Sequence, residues 1–237
     1  MEADSANAIR DRMCRDTSVI GMPRPSIGSV FSRYAVAWLY LIGFCATVII
    51  YSLLPGRDQA AFLGWASTSV HNLEHHPVGC LRVSAFIATG FVPVWPFLIA
   101  LAMFGANHLL GNWRTLVTCA AGHVIGTLVS EGIVAYRVAH GTLPQADRYL
   151  VDVGPSYVVV AAISVGLLWG TWLIRAAAAL DFALLIFVGH IFEGLSHLSL
   201  APVGHLTSLI TGAVAGSFFI WQRQGKAHTC QGHTSAS

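Results

Sequence analysis

The sequence predicts an all-α membrane protein in which six helices cross the bilayer and both termini face the cytoplasm. Hydrophobic residues make up 55% of its 237 residues and charged residues only 10%, whereas about 25% of the residues of a soluble domain are charged. The apolar residues form several long runs, so the excess apolar surface must face lipid. The net charge of +2 and the lack of a basic block argue against nucleic acid as a partner.

The apolar runs define a six-helix membrane domain, residues 34–222, between a flexible N-terminal tail, residues 1–33, and a C-terminal tail, residues 223–237. The predicted spans cover residues 35–53, 84–104, 115–135, 156–170, 176–191 and 203–221. No internal repeat links the two halves of the domain. This argues against a transporter built from inverted repeats.

Two segments depart from a simple pattern of spans and short connections. Pro93 and Pro96 should kink the second span, because proline interrupts the hydrogen bonds of a helix. The loop over residues 55–82 is too long for a simple connection, and we expect it to fold onto the membrane surface.

Positive charge indicates the orientation of the bundle. With the N-terminus inside, nine of the thirteen Lys and Arg residues lie on the cytoplasmic side and four on the opposite side. The cytoplasmic set is Arg10, Arg12, Arg15, Arg24, Arg33, Arg114, Arg175, Arg223 and Lys226; the opposite set is Arg57, Arg82, Arg137 and Arg148. Cytoplasmic segments of membrane proteins carry the excess of positive charge, so this distribution supports the orientation.

The fourth span begins with a signal for a helix start. Gly154 permits a sharp bend, Pro155 suits a first helical turn, and Ser156 then lies among the free backbone N–H groups of that turn. The helix from Ser156 to Gly170 is roughly 22 Å long, shorter than the ~30 Å hydrocarbon core. It should therefore begin below the membrane surface, beside protein or a wet cavity.

The sixth span places a histidine at a matching depth. His205 lies near the outer end of this span, as Ser156 lies near the outer end of the fourth. Ser208, Gly212 and Gly216 follow at intervals that let two helices approach closely. A serine and a histidine at one depth are the smallest set for nucleophilic catalysis, with the histidine as general base.

These motifs together resemble the rhomboid family of intramembrane serine proteases, and more closely its actinobacterial rhomboid-like branch. The resemblance rests on Gly154-Pro155-Ser156-Tyr157 at the fourth span and on His205 with its following small residues at the sixth. It implies a six-span fold, Ser156 as nucleophile and His205 as base. It also implies Gly154, His75 or His76 as candidates that support the oxyanion, and membrane-anchored proteins as substrates.

The chain departs from the rhomboid pattern at Tyr157, which replaces the second glycine of the serine motif, and at Ser208, which replaces the first glycine after the histidine. No asparagine follows His75 or His76 at the expected interval. These departures keep a second hypothesis open, a catalytically inactive rhomboid-like protein that binds transmembrane segments.

The first hypothesis is a serine endopeptidase that cleaves transmembrane substrates in a bacterial plasma membrane, in contact with lipid and without cofactor or metal. A small transporter or metal-binding membrane protein is a third hypothesis, because the outer loops are rich in histidine. His190, Glu193 and His197 could share one side with the histidines of the long loop, yet no His-Glu-x-x-His motif or cysteine pair occurs. The sequence does not indicate an oligomeric state.

Three further polar residues lie within predicted spans. We interpret Glu131 as an anchor that binds the long first loop, and His123 and Asp181 as groups that hydrogen-bond between helices. Asp152 should stabilise the approach to the fourth span, since acidic residues near a helix start are favourable.

Overall fold

The structure is a computed structural model that describes residues 27–90 and 92–234, with side chains from residue 28 to residue 224 except residue 91. Every regular element in these ranges is helical, so the predicted all-α class is confirmed.

The described residues fall into two units, which divide between Arg33 and Tyr34. The first contains helix α1 (Ile27–Arg33), which lies within the predicted N-terminal tail; the rest of that tail lies outside the described residues. In the second unit the last helix continues to Thr234, well into the segment predicted as a C-terminal tail.

The second unit consists of helices joined by turns and loops, of which the connection over residues 140–155 is the longest. In chain order they are α2 (Ala35–Leu53), α3 (Gly56–Ala66), α4 (Val70–His75), α5 (Pro77–Ser84), α6 (Trp95–Leu110), α7 (Asn112–Ala139), α8 (Ser156–Trp169), α9 (Trp172–Phe187) and α10 (Leu200–Thr234). Single 3₁₀ turns cover Val92–Val94, Gln145–Tyr149 and Leu195–His197.

Four described stretches are long and apolar enough to cross a membrane. They are Ala35–Leu53, Val92–Leu110, Asn112–Ala139 and Leu200–Gln224. Helix α8 is apolar but shorter, as the sequence predicted. The chain is therefore a multi-pass membrane protein.

The second span differs from its prediction, because it begins about two to three helical turns later than expected. Pro93 lies in a 3₁₀ turn and Pro96 in the first turn of α6, where a missing backbone N–H costs nothing. The two prolines start this helix and do not kink it. The residues before them form α5 and a separate bend, at the end of a long loop that folds into three short helices.

Helix α8 is the centre of the bundle. Every residue from Tyr157 to Gly166 is buried, and the helix packs against α6, α7, α9 and α10. Burial on all sides explains why its sequence is apolar throughout, without a polar face.

Small residues on α10 allow its close approach to α8. A Cβ atom on Gly212 would lie 2.4 Å from the backbone oxygen of Ala161, and one on Gly216 would lie 2.8 Å from Val165. Ser208 turns to the other neighbour and donates a hydrogen bond of 2.8 Å to the Gly122 carbonyl on α7. The spacing after His205 therefore does hold two helices at backbone contact.

Candidate functional site

The segment before α8 fixes the position of Ser156. Gly154 has a φ of 154°, a conformation that favours glycine, and its N–H donates to the Ser84 carbonyl at 3.0 Å. Pro155 is the N-cap and Ser156 the first residue of α8. The hydrogen bond joins the start of α8 to the end of α5, which lies beside it.

Ser156 lines a cavity of about 400 Å³ between the start of α6, the start of α8 and the end of α9. Its walls are largely apolar and include Val94, Trp95, Leu98, Leu184, Leu185 and Val188. His205, His75 and His76 do not line this cavity. Ser156 thus borders a space suited to apolar side chains.

Tyr157 occupies the side of the α8 start that faces α10. Its side chain is 3% exposed, and its hydroxyl donates to Asp152 Oδ2 at 3.2 Å. The ring stands edge-on to the His205 ring, with 5.1 Å between centroids. A Cβ atom on Gly204 would lie 2.1 Å from the tyrosine oxygen, so glycine at that position leaves room for the phenol.

His205 is buried and oriented by one hydrogen bond, between its Nδ1 and the Ile191 carbonyl at 2.9 Å. A carbonyl oxygen only accepts, so Nδ1 carries the proton and Nε2 of the neutral ring is an acceptor. Nε2 has no hydrogen-bond partner among the described residues. This is the tautomer that a general base needs.

The structure places Ser156 and His205 at the same end of adjacent helices, and within the described part of the chain no hydrogen bond joins them. The His205 ring meets the neighbouring residue, Tyr157, instead. Consecutive helical residues differ by about 100° around the axis. Ser156 and Tyr157 consequently lie on two different faces of α8. Ser156 lies on the face beside the cavity, and Tyr157 lies on the face that contacts His205.

Asp152 connects this region to the first loop. Its backbone carbonyl accepts from the N–H of Thr68 at 2.9 Å and from the Thr68 hydroxyl at 3.0 Å. Its N–H donates to the Ser67 hydroxyl at 2.9 Å. Burial raises the pKa of the Asp152 carboxyl to about 6, against a smaller opposite effect of the hydrogen bonds from Tyr157 and Thr68.

The other polar residues of the spans have different roles. Glu131 is buried with its carboxyl towards the N–H of Val70 in the first loop, although neither oxygen makes a hydrogen bond of good geometry to a described group. His123 bonds through Nε2 to the Leu81 carbonyl on α5 at 3.0 Å, so it does hydrogen-bond between helices, and its ring lies 6.1 Å from the Tyr157 ring on α8. Asp181 is fully buried, and neither carboxyl oxygen has a hydrogen-bond partner in the described ranges, contrary to expectation.

His75 and His76 lie on the first loop, away from Ser156. His75 bonds to the His71 carbonyl at 2.8 Å, and the His76 ring stacks on Trp65 at 5.7 Å between centroids. The N–H of Gly154, the third oxyanion candidate, already donates to Ser84. No group of three or more metal-ligating side chains with metal-site geometry occurs among the described residues.

Sequence reasoning missed the partnership of Tyr157 with His205 and the pairing of Thr68 with Asp152. The only sequence signal for the first was a bulky residue in place of glycine. The second joins positions more than eighty residues apart and had no local signal.

The comparison with protein families agrees with this architecture. The family described as "Rhomboid-like protein" matches residues 32–221. The chain belongs to this rhomboid-like family. Neither the curated proteins nor the solved structures gave a match.

Proposed function

We propose that this protein binds transmembrane segments of other membrane proteins without cleaving them. The observation that carries the proposal is the position of Tyr157, whose ring contacts His205 and whose hydroxyl is bonded to Asp152. A general base must reach the proton that it removes. In this arrangement the His205 ring contacts the phenol ring of Tyr157, whereas Ser156 lines the cavity on another face of α8.

The cavity at Ser156 is suited to a bound helix. Its apolar walls come from α6 and α9, and beside it Phe97, Phe187 and Val188 are 52%, 76% and 53% exposed. In a bilayer an apolar side chain of a client helix could fill the cavity while the helix backbone lies along these exposed residues. The Ser156 hydroxyl would then offer a hydrogen bond to a polar group of the client.

Intramembrane serine proteolysis is the second candidate, favoured by the cavity at Ser156 and by the His205 Nε2 atom, which has no hydrogen-bond partner in the part of the chain that the structure describes. It requires the Tyr157 side chain to leave His205. His205 would then accept the Ser156 proton, and the serine oxygen would attack a peptide carbonyl. Free N–H groups of the first turn of α8 would stabilise the oxyanion.

Labelling with a fluorophosphonate, which reacts with activated serines, separates the two functions. Under our proposal the wild-type protein in liposomes stays unlabelled, as does Ser156→Ala, and cleaves no transmembrane substrate. Tyr157→Gly, which restores the glycine of the rhomboid motif, tests whether the ring alone separates the dyad. Labelling of the wild type that Ser156→Ala or His205→Ala abolishes would establish the protease.

Binding is tested by photocrosslinking to a panel of transmembrane peptides. A photoreactive residue at Val188, on the cavity wall, should capture peptides with small or branched apolar side chains. The matched control is Val214 on α10, which is 64% exposed and lies outside the cavity lining. Equal capture at both valines would contradict a specific site.

We further infer six spans with both termini in the cytoplasm of a bacterium, in its plasma membrane. Arg114 lies just after the start of α7, and Arg175 lies just after the start of α9. Arg223 lies near the end of the last span. Trp113, Trp172 and Trp221, each about 70% exposed, accompany them. Exposed tryptophan is typical of either membrane interface, and an excess of arginine is typical of the cytoplasmic one.

A further inference from the structure

A second cavity, on the side of the bundle away from Ser156, lies between α2, α5 and α7. Its volume is about 650 Å³, within the range of ligand pockets. Most of its lining is apolar, from Leu39, Phe86, Met103, Leu116, Ala120 and Val124. Leu39 and Leu116 are 66% and 48% exposed, so the cavity opens to the surrounding lipid.

Arg82 is the one residue of this lining with a permanent charge, and no acidic side chain lines the cavity. Within the described residues, no carboxylate pairs with its guanidinium and no carbonyl accepts from it. The histidine of the lining, His123, is already bonded to the Leu81 carbonyl. The cationic group therefore lies beside an apolar space without a counter-charge from the described protein.

The lack of a counter-charge beside Arg82 is unusual because of the depth at which this residue lies. Ser84, two residues further on, accepts from the N–H of Gly154 just before α8, so α5 ends level with the start of α8. The 14 residues of α8 span about 21 Å of a hydrocarbon core of about 30 Å. With the far end of α8 placed at the inner boundary, Arg82 lies several ångströms inside the outer boundary, where a charged side chain pairs with an anionic group or extends to the surface.

We propose that this cavity binds an anionic glycerophospholipid of the outer leaflet. One acyl chain would occupy the apolar space between α2 and α7. The Arg82 side chain would extend towards the surface and pair with the phosphate, for which guanidinium has suitable geometry. A lipid with a net negative charge is favoured, because the cationic headgroup of a zwitterionic lipid would oppose the arginine.

The test is lipid retention by full-length protein, purified from liposomes of equal phosphatidylglycerol and phosphatidylcholine and measured by native mass spectrometry. We expect wild type to retain phosphatidylglycerol several-fold over phosphatidylcholine. Arg82→Gln should lose this preference and Arg82→Lys should keep part of it. Arg57→Gln is the matched control, because Arg57 has a 95% exposed side chain on α3 and should leave retention unchanged.

A second variant tests the acyl-chain part of the site. Ala120 lines the cavity and is exposed to lipid, so Ala120→Phe should fill the space without disturbing the core. It should reduce retention of both lipids although Arg82 is intact. The proposal is overturned if wild type retains the two lipids equally, if Arg57→Gln loses as much preference as Arg82→Gln, or if Ala120→Phe retains lipid like wild type.

Discussion

At the scale of single residues, Tyr157 contacts three neighbours at once. Its ring contacts His205, its hydroxyl binds Asp152, and its bulk requires glycine at position 204. A residue that packs against neighbours on three sides is part of the core, so its removal has a cost in stability.

The hydroxyl of Tyr157 should contribute measurably to stability. Tyr157→Phe keeps the ring on His205 but removes the donor to Asp152, so we expect a loss of about 1–3 kcal/mol in the free energy of unfolding. Unfolding in mixed detergent micelles measures it. Tyr149→Phe is the control, since Tyr149 is 61% exposed and its hydroxyl has no hydrogen-bond partner among the described residues. Equal losses in both variants would show that the bond to Asp152 adds nothing.

Asp152 should make stability depend on pH. Its pKa in the fold is raised to about 6 from an ordinary 3.8, so between these values the folded state binds more protons than the unfolded state. Stability contributed by this group is then highest below pH 4 and falls as pH rises through 6. Asp152→Asn should remove this part of the slope.

The measurement is the difference in unfolding free energy between wild type and Asp152→Asn from pH 4 to pH 8. Using the difference cancels other titrating groups, except Glu131 and Tyr157, which interact electrostatically with Asp152. A difference that stays constant over this range would mean that the Asp152 carboxyl is not affected by burial.

At the scale of elements, the contact between α8 and α10 depends on the glycines of α10. Gly212→Ala would place a Cβ atom 2.4 Å from the Ala161 backbone oxygen, and backbone cannot move aside as a flexible side chain can. We expect Gly212→Ala to lower stability by about 1–3 kcal/mol, as for overpacked cores. Gly132→Ala on α7 is the control, because nothing lies within 4 Å of the added methyl group, and it should be neutral or stabilising.

The sequence predicted the elements better than their contacts. The apolar run and Gly154-Pro155-Ser156 located the start of α8, because helix starts depend on neighbouring residues. The predicted kink at Pro93 and Pro96 was wrong. A proline indicates an interrupted helix, but it does not indicate whether the proline lies within the helix or at its start. The rotation of α8 about its axis turns Tyr157, and not Ser156, towards His205. This rotation depends on packing between distant segments, so no local sequence pattern predicts it.

At the scale of the whole molecule, the two ends of the bundle differ in chemistry. The end with the starts of α7 and α9 carries arginine and exposed tryptophan. The end with the first loop has the Thr68–Asp152 pairing and an ion pair between Arg148 and Glu74 at 2.5 Å. Ser156, His205 and Arg82 all lie nearer this second end, so both proposed sites would serve the outer half of the membrane.

The orientation of these ends is directly testable with single cysteines in a cysteine-free background. Thr142, in the turn after α7, and Thr171, before α9, are both exposed threonines at opposite ends of the bundle. In intact cells a membrane-impermeant maleimide should label Thr142→Cys, and should label Thr171→Cys only after the membrane is permeabilised. The reverse pattern would place the termini outside and turn both cavities towards the cytoplasmic leaflet. In that case client helices and anionic lipid would have to reach the protein from the inner side.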